Sequence, residues 1–288
     1  KGSRALYLFP TKALAQDQLA SLKELACPDF LPPGAIATFD GDTPQEERAA
    51  IKRQARVVLT NPDMLHLAIL PNHESWGRLF RHLSYVIIDE AHIYRGVFGS
   101  HTANVLRRLR RLCARYGSDP RFICCSATIA NPGEHARNLV GLPFEVISED
   151  GSPHGEKYFA FWNPPVIDEA KSTRRSPNSE ASFLLHQLIA RNIRSLVFVR
   201  TRKLTELIYL YTRQQVPPQL GSRISPYRAG YLAETRRQIE RQFFNGELLG
   251  LVATTALELG IDIGDLEATV LTGYPGSVAS AWQQAGRS

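Results

Sequence analysis

The feature that most constrains how this 288-residue chain can fold is a recurring unit: a short apolar run, a polar or small-residue turn, then a longer amphipathic stretch. LYLF is followed by PTKALAQ, AIATF by DGDT, VVLT by NPD, YVII by DEAH, and FICC by SAT. Runs this short, bounded by turn residues, fit strands buried on both faces. Between them, Leu14, Leu22 and Leu25 share one helical face while Lys12, Gln16 and Lys23 can face water. Further on, Val105, Leu109 and Leu112 line one side of an arginine-rich helix. Strands separated by helices predict an α/β fold with a mostly parallel sheet covered on both faces. Chemistry is then expected at the carboxyl ends of the strands.

The texture changes near residue 149. SEDGSPHGEKYFAFWNPPVIDEAKSTRRSPNSE is rich in proline, glycine, serine and charge, and reads as a loop around a short edge strand followed by a connection. A second strand-helix series starts at SLVFVRTRKLTEL, with Ile239 and Phe243 on a helical apolar face and LLGLVAT and ATVLTGY as strands. The expected organisation is a partial first α/β lobe over 1–148, a linker and edge segment over 149–180, and a second partial lobe over 181–288. No short-period repeat is visible.

An apolar fraction of 43% and a charged fraction of 22% describe a chain that can build a core. No segment approaches 18 uninterrupted apolar residues, and the opening KGSRALYLFPTKALAQ makes a poor signal peptide. An intracellular protein is expected, cytoplasmic or, in a eukaryote, nuclear, with no membrane partner. The four cysteines at 27, 113, 124 and 125 do not repeat a C-x-x-C spacing, so neither a zinc nor a disulfide framework is expected. A net charge of +6 favours a polyanionic partner without separating nucleic acid from anionic lipid. A dinucleotide oxidoreductase finds no suitably placed G-x-G-x-x-G.

In DEAH, Asp89 and Glu90 follow a buried run and, on an extended segment, point in different directions. Such a pair can divide labour, one carboxylate reaching magnesium through water and the other orienting or deprotonating an attacking water. His92 can connect that site to a neighbouring segment. Taken alone, the pair fits a solvated cap equally well.

DEAH followed by CSAT at 125–128, with VATTALELGIDIG and SAWQQAGR in order downstream, resembles a superfamily-2 helicase. YRGVFGSHTANVLRRLRR, YRAGYLAETRRQIE and GYPGSVASAWQQAGR carry a closer resemblance, to the bacterial mitomycin-repair helicases and their fungal relative often grouped with the RecQ helicases. The likeness extends over essentially the whole chain and implies two RecA-like lobes. It implies ATP and Mg²⁺ as cofactors, with Asp89 as the magnesium-associated acid, Glu90 as the activator of water and His92 beside them. Ser126 and Thr128 correspond to the segment that couples hydrolysis to movement. Gly260 and Asp262 correspond to a loop facing the nucleotide. Gln283 and Arg287 open the final motif, where an arginine fork pairs with phosphate oxygens.

The same resemblance places nucleic-acid contacts at other strand ends. The candidates are Thr11 and Lys12, Gly41 and Thr43, and Thr60 and Asn61 in the first lobe, with Arg200, Thr201, Thr254 and Thr255 in the second. Small and hydroxyl side chains let backbone amides approach phosphate and add hydrogen bonds. Each alone also reads as an ordinary cap. Arg107, Arg108, Arg110 and Arg111 either track a phosphate backbone or form a solvated helix face. Phe159, Phe161 and Trp162 either stack on bases or pack an edge strand.

No G-x-x-x-x-G-K-[ST] loop lies before LYLF, and the final motif stops at Arg287-Ser288, so these 288 residues alone are expected to hydrolyse ATP weakly or not at all. Within a full-length protein the resemblance implies an ATP-dependent helicase core on single-stranded or partly duplex DNA, with 3′-to-5′ polarity and a genome-maintenance role. The alternatives are a nucleic-acid-binding module, a remodeler that does not unwind, or an inactive gene fragment.

Overall fold

The computed structural model describes residues 2–26, 31–127, 129–149, 151, 155–228, 230–258 and 266–288. The chain divides into two compact units, Lys1–Gly151 and Ser152–Ser288. Among the described residues no helix is long and apolar enough to cross a membrane.

The first unit runs β1 (Arg4–Leu8), α1 (Lys12–Leu25), β2 (Ile36–Thr38), α2 (Gln45–Gln54), β3 (Val57–Thr60), α3 (Pro62–Met64), α4 (Gly77–Arg81), β4 (Leu83–Ile88), α5 (Gly96–Arg115), β5 (Arg121–Cys124) and α6 (Pro132–Val140). A π-helical turn at Leu65–Ile69 and 3₁₀ turns at His73–Trp76 and Ala91–Ile93 interrupt the series. The sheet is parallel, in the order β2-β3-β1-β4-β5. Its register decides where chemistry can occur: Leu8 lies opposite both Thr60 and Ile88, and Ile88 opposite Cys124. The residues that follow β1, β3, β4 and β5 therefore emerge on one edge, where a parallel α/β sheet places its ligands.

Two apolar layers sandwich that sheet. On one side Leu6, Leu8, Val58, Val86 and Ile88 pack with Trp76, Phe80, Leu106 and Leu109. Burying each such aliphatic or aromatic side chain contributes about 1.5–3 kcal/mol. On the other side Phe9, Leu14, Ala15, Ile36 and Leu59 form a smaller cluster. The expected face of α1 is only partly realised: Leu14 is buried and Leu22 packs at the margin, but Leu25 is 82% exposed. Leu25 lies about 16 Å further along the helix axis than Leu14. That distance carries it past strands of three to five residues.

The second unit opens with the antiparallel pair β6 (Val166–Asp168) and β7 (Thr173–Arg174), a two-stranded sheet of its own. It continues with α7 (Pro177–Ala190), β8 (Ser195–Phe198), α8 (Arg202–Gln215), α9 (Pro218–Gly221), β9 (Ile224–Tyr227), α10 (Ala233–Phe244), β10 (Gly250–Ala253), β11 (Ala268–Leu271) and α11 (Val278–Ala285). The four-stranded sheet is again parallel, ordered β11-β8-β10-β9. Phe198 lies opposite Ala253 and Leu271, and Ala253 opposite Tyr227, so these strand tips are also level. Ile239 and Phe243 join Leu196, Phe198 and Leu251 in one core layer, as their spacing predicts. Leu185, Ile189, Val197, Ile208 and Val252 build the other.

FAFW forms no strand. Trp162 donates its indole N–H to Glu180 Oε2 at 2.8 Å, and Arg175 meets Glu180 Oε1 at 2.9 Å. Phe159 packs on Phe161 and on Trp282, with centroids 5.2 and 5.8 Å apart. The aromatic run is thus joined to the second unit by packing and a buried carboxylate.

Candidate functional site

The buried run of β4 ends where Asp89 N–H donates to Leu8 O at 2.9 Å, extending the ladder by one residue. The chain then turns. Glu90 sits at φ 48°, ψ 45°, the left-handed region that costs a residue with a Cβ about 1–3 kcal/mol. The extended geometry assumed from the sequence does not hold here. Asp89 and Glu90 are parted by a turn, with Asp89 Oδ1 accepting from Glu90 N–H at 3.0 Å.

The turn is held from several directions. Ile93 N–H donates to Glu90 O at 2.9 Å, and Ala91 N–H donates to Cys125 O at 2.8 Å. His135, on α6, lies 2.8 Å through Nε2 from Ala91 O. A carbonyl can only accept, so Nε2 carries the proton. His92 is 6% exposed, and its Nδ1 lies 3.3 Å from Glu90 Oε2 and 3.3 Å from the amide of Ala127. A neutral Nδ1 accepts from Ala127; a protonated one donates to Glu90 instead. Either way His92 stands between the Glu90 carboxylate and the segment after β5.

Poor solvation marks the surroundings. Burial raises the Asp89 carboxyl above its ordinary range, offset in part by the Glu90 amide. Burial, then the Asp89 charge, pushes up the phenols of Tyr7 and Tyr94. The Cys125 thiol is raised by burial and by both carboxylates, and that of Cys124 is pushed up to about 12 by burial and Cys125. Tyr94 is 2% exposed, and its hydroxyl has no hydrogen-bond partner among the described residues. Tyr7, Tyr94 and His135 were not among the sequence candidates. Tyr7 carried only a strand signal, and nothing local links His135 to a turn 44 residues earlier.

Ser126 is exposed and donates to Ala127 O at 2.9 Å. Thr128, Gly260 and Asp262 lie outside the described residues. At the tips of β1 and β2, Lys12 Nζ pairs with Asp42 Oδ1 at 3.0 Å. A Cβ at Gly41 would sit 3.1 Å from that Nζ, so the two loops touch. Thr11 caps α1 by accepting from Leu14 N–H, and Asn61 caps α3 by accepting from Met64 N–H. Both keep donors for a ligand, since a capping oxygen leaves the threonine O–H and the asparagine NH₂ unspent. Thr43 and Thr60 are placed differently. Thr60 is 2% exposed and donates to Phe39 O at 2.6 Å, and the buried Thr43 hydroxyl accepts from Asp40 N–H at 2.9 Å. Their hydroxyls shape the loop from within.

In the second unit Arg200 is exposed after β8, and Thr201 caps α8 through Leu204 N–H. Thr254 and Thr255 follow β10 on the same sheet edge. Gln283 lies on the last turn of α11, and Arg287 follows the Gly286 cap. Arg287 donates to Glu258 O at 2.7 Å. The neighbouring Gln284, not singled out from the sequence, is the buried one and donates to Glu258 Oε2 at 3.1 Å. Three of the four arginines of the tract tie α5 to its surroundings: Arg107 to Asn138 O, Arg108 to His66 Nδ1, and Arg110 to Val140 O and Gly141 O.

Residues 1–135 match the DEAD/DEAH box helicase family, and residues 180–288 match the helicase conserved C-terminal domain. The chain is 50% identical over 287 residues to YprA, an ATP-dependent helicase of Bacillus subtilis, covering 99% of this chain and 38% of the relative. It is 44% identical over 295 residues to the ATP-dependent helicase HRQ1 of Saccharomyces cerevisiae, covering 99% and 27%. The crystal structure of the DUF1998 helicase MrfA bound to DNA and AMPPNP is similar at a TM-score of 0.94 and 50% identity, covering 100% of this chain and 40% of that one. The chain spans well under half the length of each of these relatives. With two helicase families matched in order along two parallel α/β units, the chain belongs to the superfamily-2 DEAD/DEAH-box helicases, as a core of two RecA-like lobes related to bacterial MrfA and fungal Hrq1.

Proposed function

We propose that this chain is the ATP-hydrolysing core of a 3′-to-5′ DNA helicase that works in genome maintenance inside the cell. The observation that carries this reading is the Glu90 turn, a strained residue whose carboxylate competes with the Ala127 amide, in the segment after β5, for His92 Nδ1. Backbone strain is retained where surrounding structure enforces it, and a water-activating carboxylate gains from a fixed position. Relatives known as helicases, and the DNA and nucleotide analogue bound to MrfA, support the same reading.

Glu90 orients the attacking water and accepts its proton, and the fixed turn keeps that carboxylate in line. Asp89 suits magnesium, a hard cation usually held by one or two carboxylates plus waters and substrate phosphates. Its raised carboxyl shows a charge short of solvent, which a cation would compensate. Bound magnesium would supply charge neutralisation at the phosphates. Gln283 and Arg287, both in the second unit, are suited to phosphate oxygens, the arginine through its fixed fork of donors. His92 transmits the change at Glu90 to Ala127 and, through Ser126, to the coupling segment.

Along the strand tips, Thr11, Lys12, Gly41 and Asn61 in the first unit, and Arg200, Thr201, Thr254 and Thr255 in the second, hold the sugar-phosphate backbone. Thr43 and Thr60 set the shape of that edge. Unwinding of tailed duplexes by the full-length protein with ATP tests the finer assignment. A DNA duplex with a 3′ single-stranded tail is opened and its 5′-tailed counterpart is not. Opening only the 5′-tailed substrate would reverse the polarity. ATP turnover without strand displacement on either would favour a remodeler.

A further inference from the structure

Between α5, α6 and the turn that follows DEAH lies a cavity of about 650 Å³ that the strand-tip assignments leave unused. Its wall carries Arg95, Ser100, Asn104, Arg107, His135 and Asn138, and no acidic residue lines it among the described residues. Arg95, Ser100, Asn104 and Arg107 are exposed, so their polar groups are open to a ligand from solvent. The first turn of α5 adds to the positive character, with no acidic residue and no side-chain cap at Arg95. Two permanent cations, amide and hydroxyl donors and no opposing carboxylate select an anion rich in oxygen acceptors.

Size favours a polymer over a small anion. Arg95 and Arg107 are separated by roughly 18 Å along the axis of α5, at 1.5 Å per residue, more than one phosphate group spans. The cavity also adjoins the catalytic turn through His135, which lines its wall while donating to Ala91 O at 2.8 Å. A ligand against this wall therefore touches a residue that holds the segment between Glu90 and His92.

We propose that this cavity receives the phosphodiester backbone of a nucleic-acid strand, and that His135 is a positioning residue through which the bound strand steadies the DEAH turn. The proposal rests on the reading of the chain as a nucleic-acid motor.

The first test is binding of a fluorescein-labelled single-stranded oligonucleotide by the full-length protein, without nucleotide, across a salt series. Asn104→Asp changes charge with almost no change in shape, and Arg95→Glu reverses an exposed charge; circular dichroism and thermal melting verify folding. Each variant weakens binding about tenfold, and Arg95→Glu lowers the slope of log K against log salt by about one. Wild-type binding with unchanged affinity and slope in both variants would overturn the cavity assignment alone. A folded wild-type protein that binds no strand would overturn the motor reading and this proposal with it. Weaker binding of inorganic phosphate with unchanged oligonucleotide affinity would place a small anion there and remove the strand.

Turnover tests the positioning role. With DNA present, His135→Ala loses about tenfold or more in kcat while KM for ATP stays within about twofold, and His135→Gln, which can still donate to Ala91 O, recovers most of the loss. Equal kcat in all three proteins would remove the link to the DEAH turn.

Discussion

At Asp89 and Glu90 two costs meet in adjacent residues: a carboxylate short of water and a backbone held in the left-handed region. The first is open to titration. Because burial raises the Asp89 carboxyl, the native chain binds more proton than the unfolded chain between the ordinary and the raised value. Stability contributed at this site therefore falls as pH rises through that window and stays lower at neutral pH. Asp89→Asn removes the cost and keeps an oxygen to accept Glu90 N–H. Urea unfolding without nucleotide or magnesium is predicted to show the variant more stable at neutral pH, with the gap closing below the ordinary carboxylate range. A gap that persists in acid would assign the effect to something other than the charge. The carboxylate pair was legible because a buried run ending in two acids is visible in one dimension. The left-handed turn was not: no glycine marks it, and the bonds that enforce it come from Cys125, Ala127 and His135, all distant in sequence.

Among the elements, α5 connects most of these parts. Its apolar stripe of Val105, Leu109 and Leu112 was readable from helical spacing, and Val105 and Leu109 enter the core while Leu112 packs against it. What the arginines do depends on tertiary neighbours, and three of them hold the π-helical turn and the end of α6. The start of α5 is set by a close approach: a Cβ at Gly99 would lie 2.3 Å from Tyr94 O. Gly99→Ala is predicted to destabilise the first unit by about 1–3 kcal/mol, because backbone, not a flexible side chain, must move. The urea midpoint reports it, and an unchanged midpoint would mean the turn can open without loss. In the neighbouring strand, Thr60→Val leaves the carbonyl of Phe39 without the buried hydroxyl that donates to it. The expected loss is about 1–3 kcal/mol, and a neutral outcome would show that Phe39 O finds another donor. Leu25 shows the limit of periodicity, which gives the angular face of a helix but not where the sheet beneath it ends.

At the scale of the molecule, each unit has its own parallel sheet and its own core layers, and both were visible as strand-helix series in the sequence. The aromatic segment after residue 155 was less legible, because alternation suits an edge strand and only Glu180, far along the chain, shows where Trp162 goes. Ile147, Tyr158 and Phe161 are 88%, 85% and 93% exposed, and no regular structure lies between α6 and β6 among the described residues. Limited chymotrypsin digestion is predicted to cut first at Tyr158 or Phe161 and to leave two folded products. First cuts inside β4 or β8 would contradict the division into units.

ATP turnover by the full-length protein, with and without single-stranded DNA and beside Glu90→Gln, bears most directly on the function assigned to these units. The account predicts stimulation by DNA and a loss of about 100-fold or more in the variant with ATP binding retained. Turnover that survives Glu90→Gln in a folded, ATP-binding protein would contradict the placement of hydrolysis at the DEAH turn.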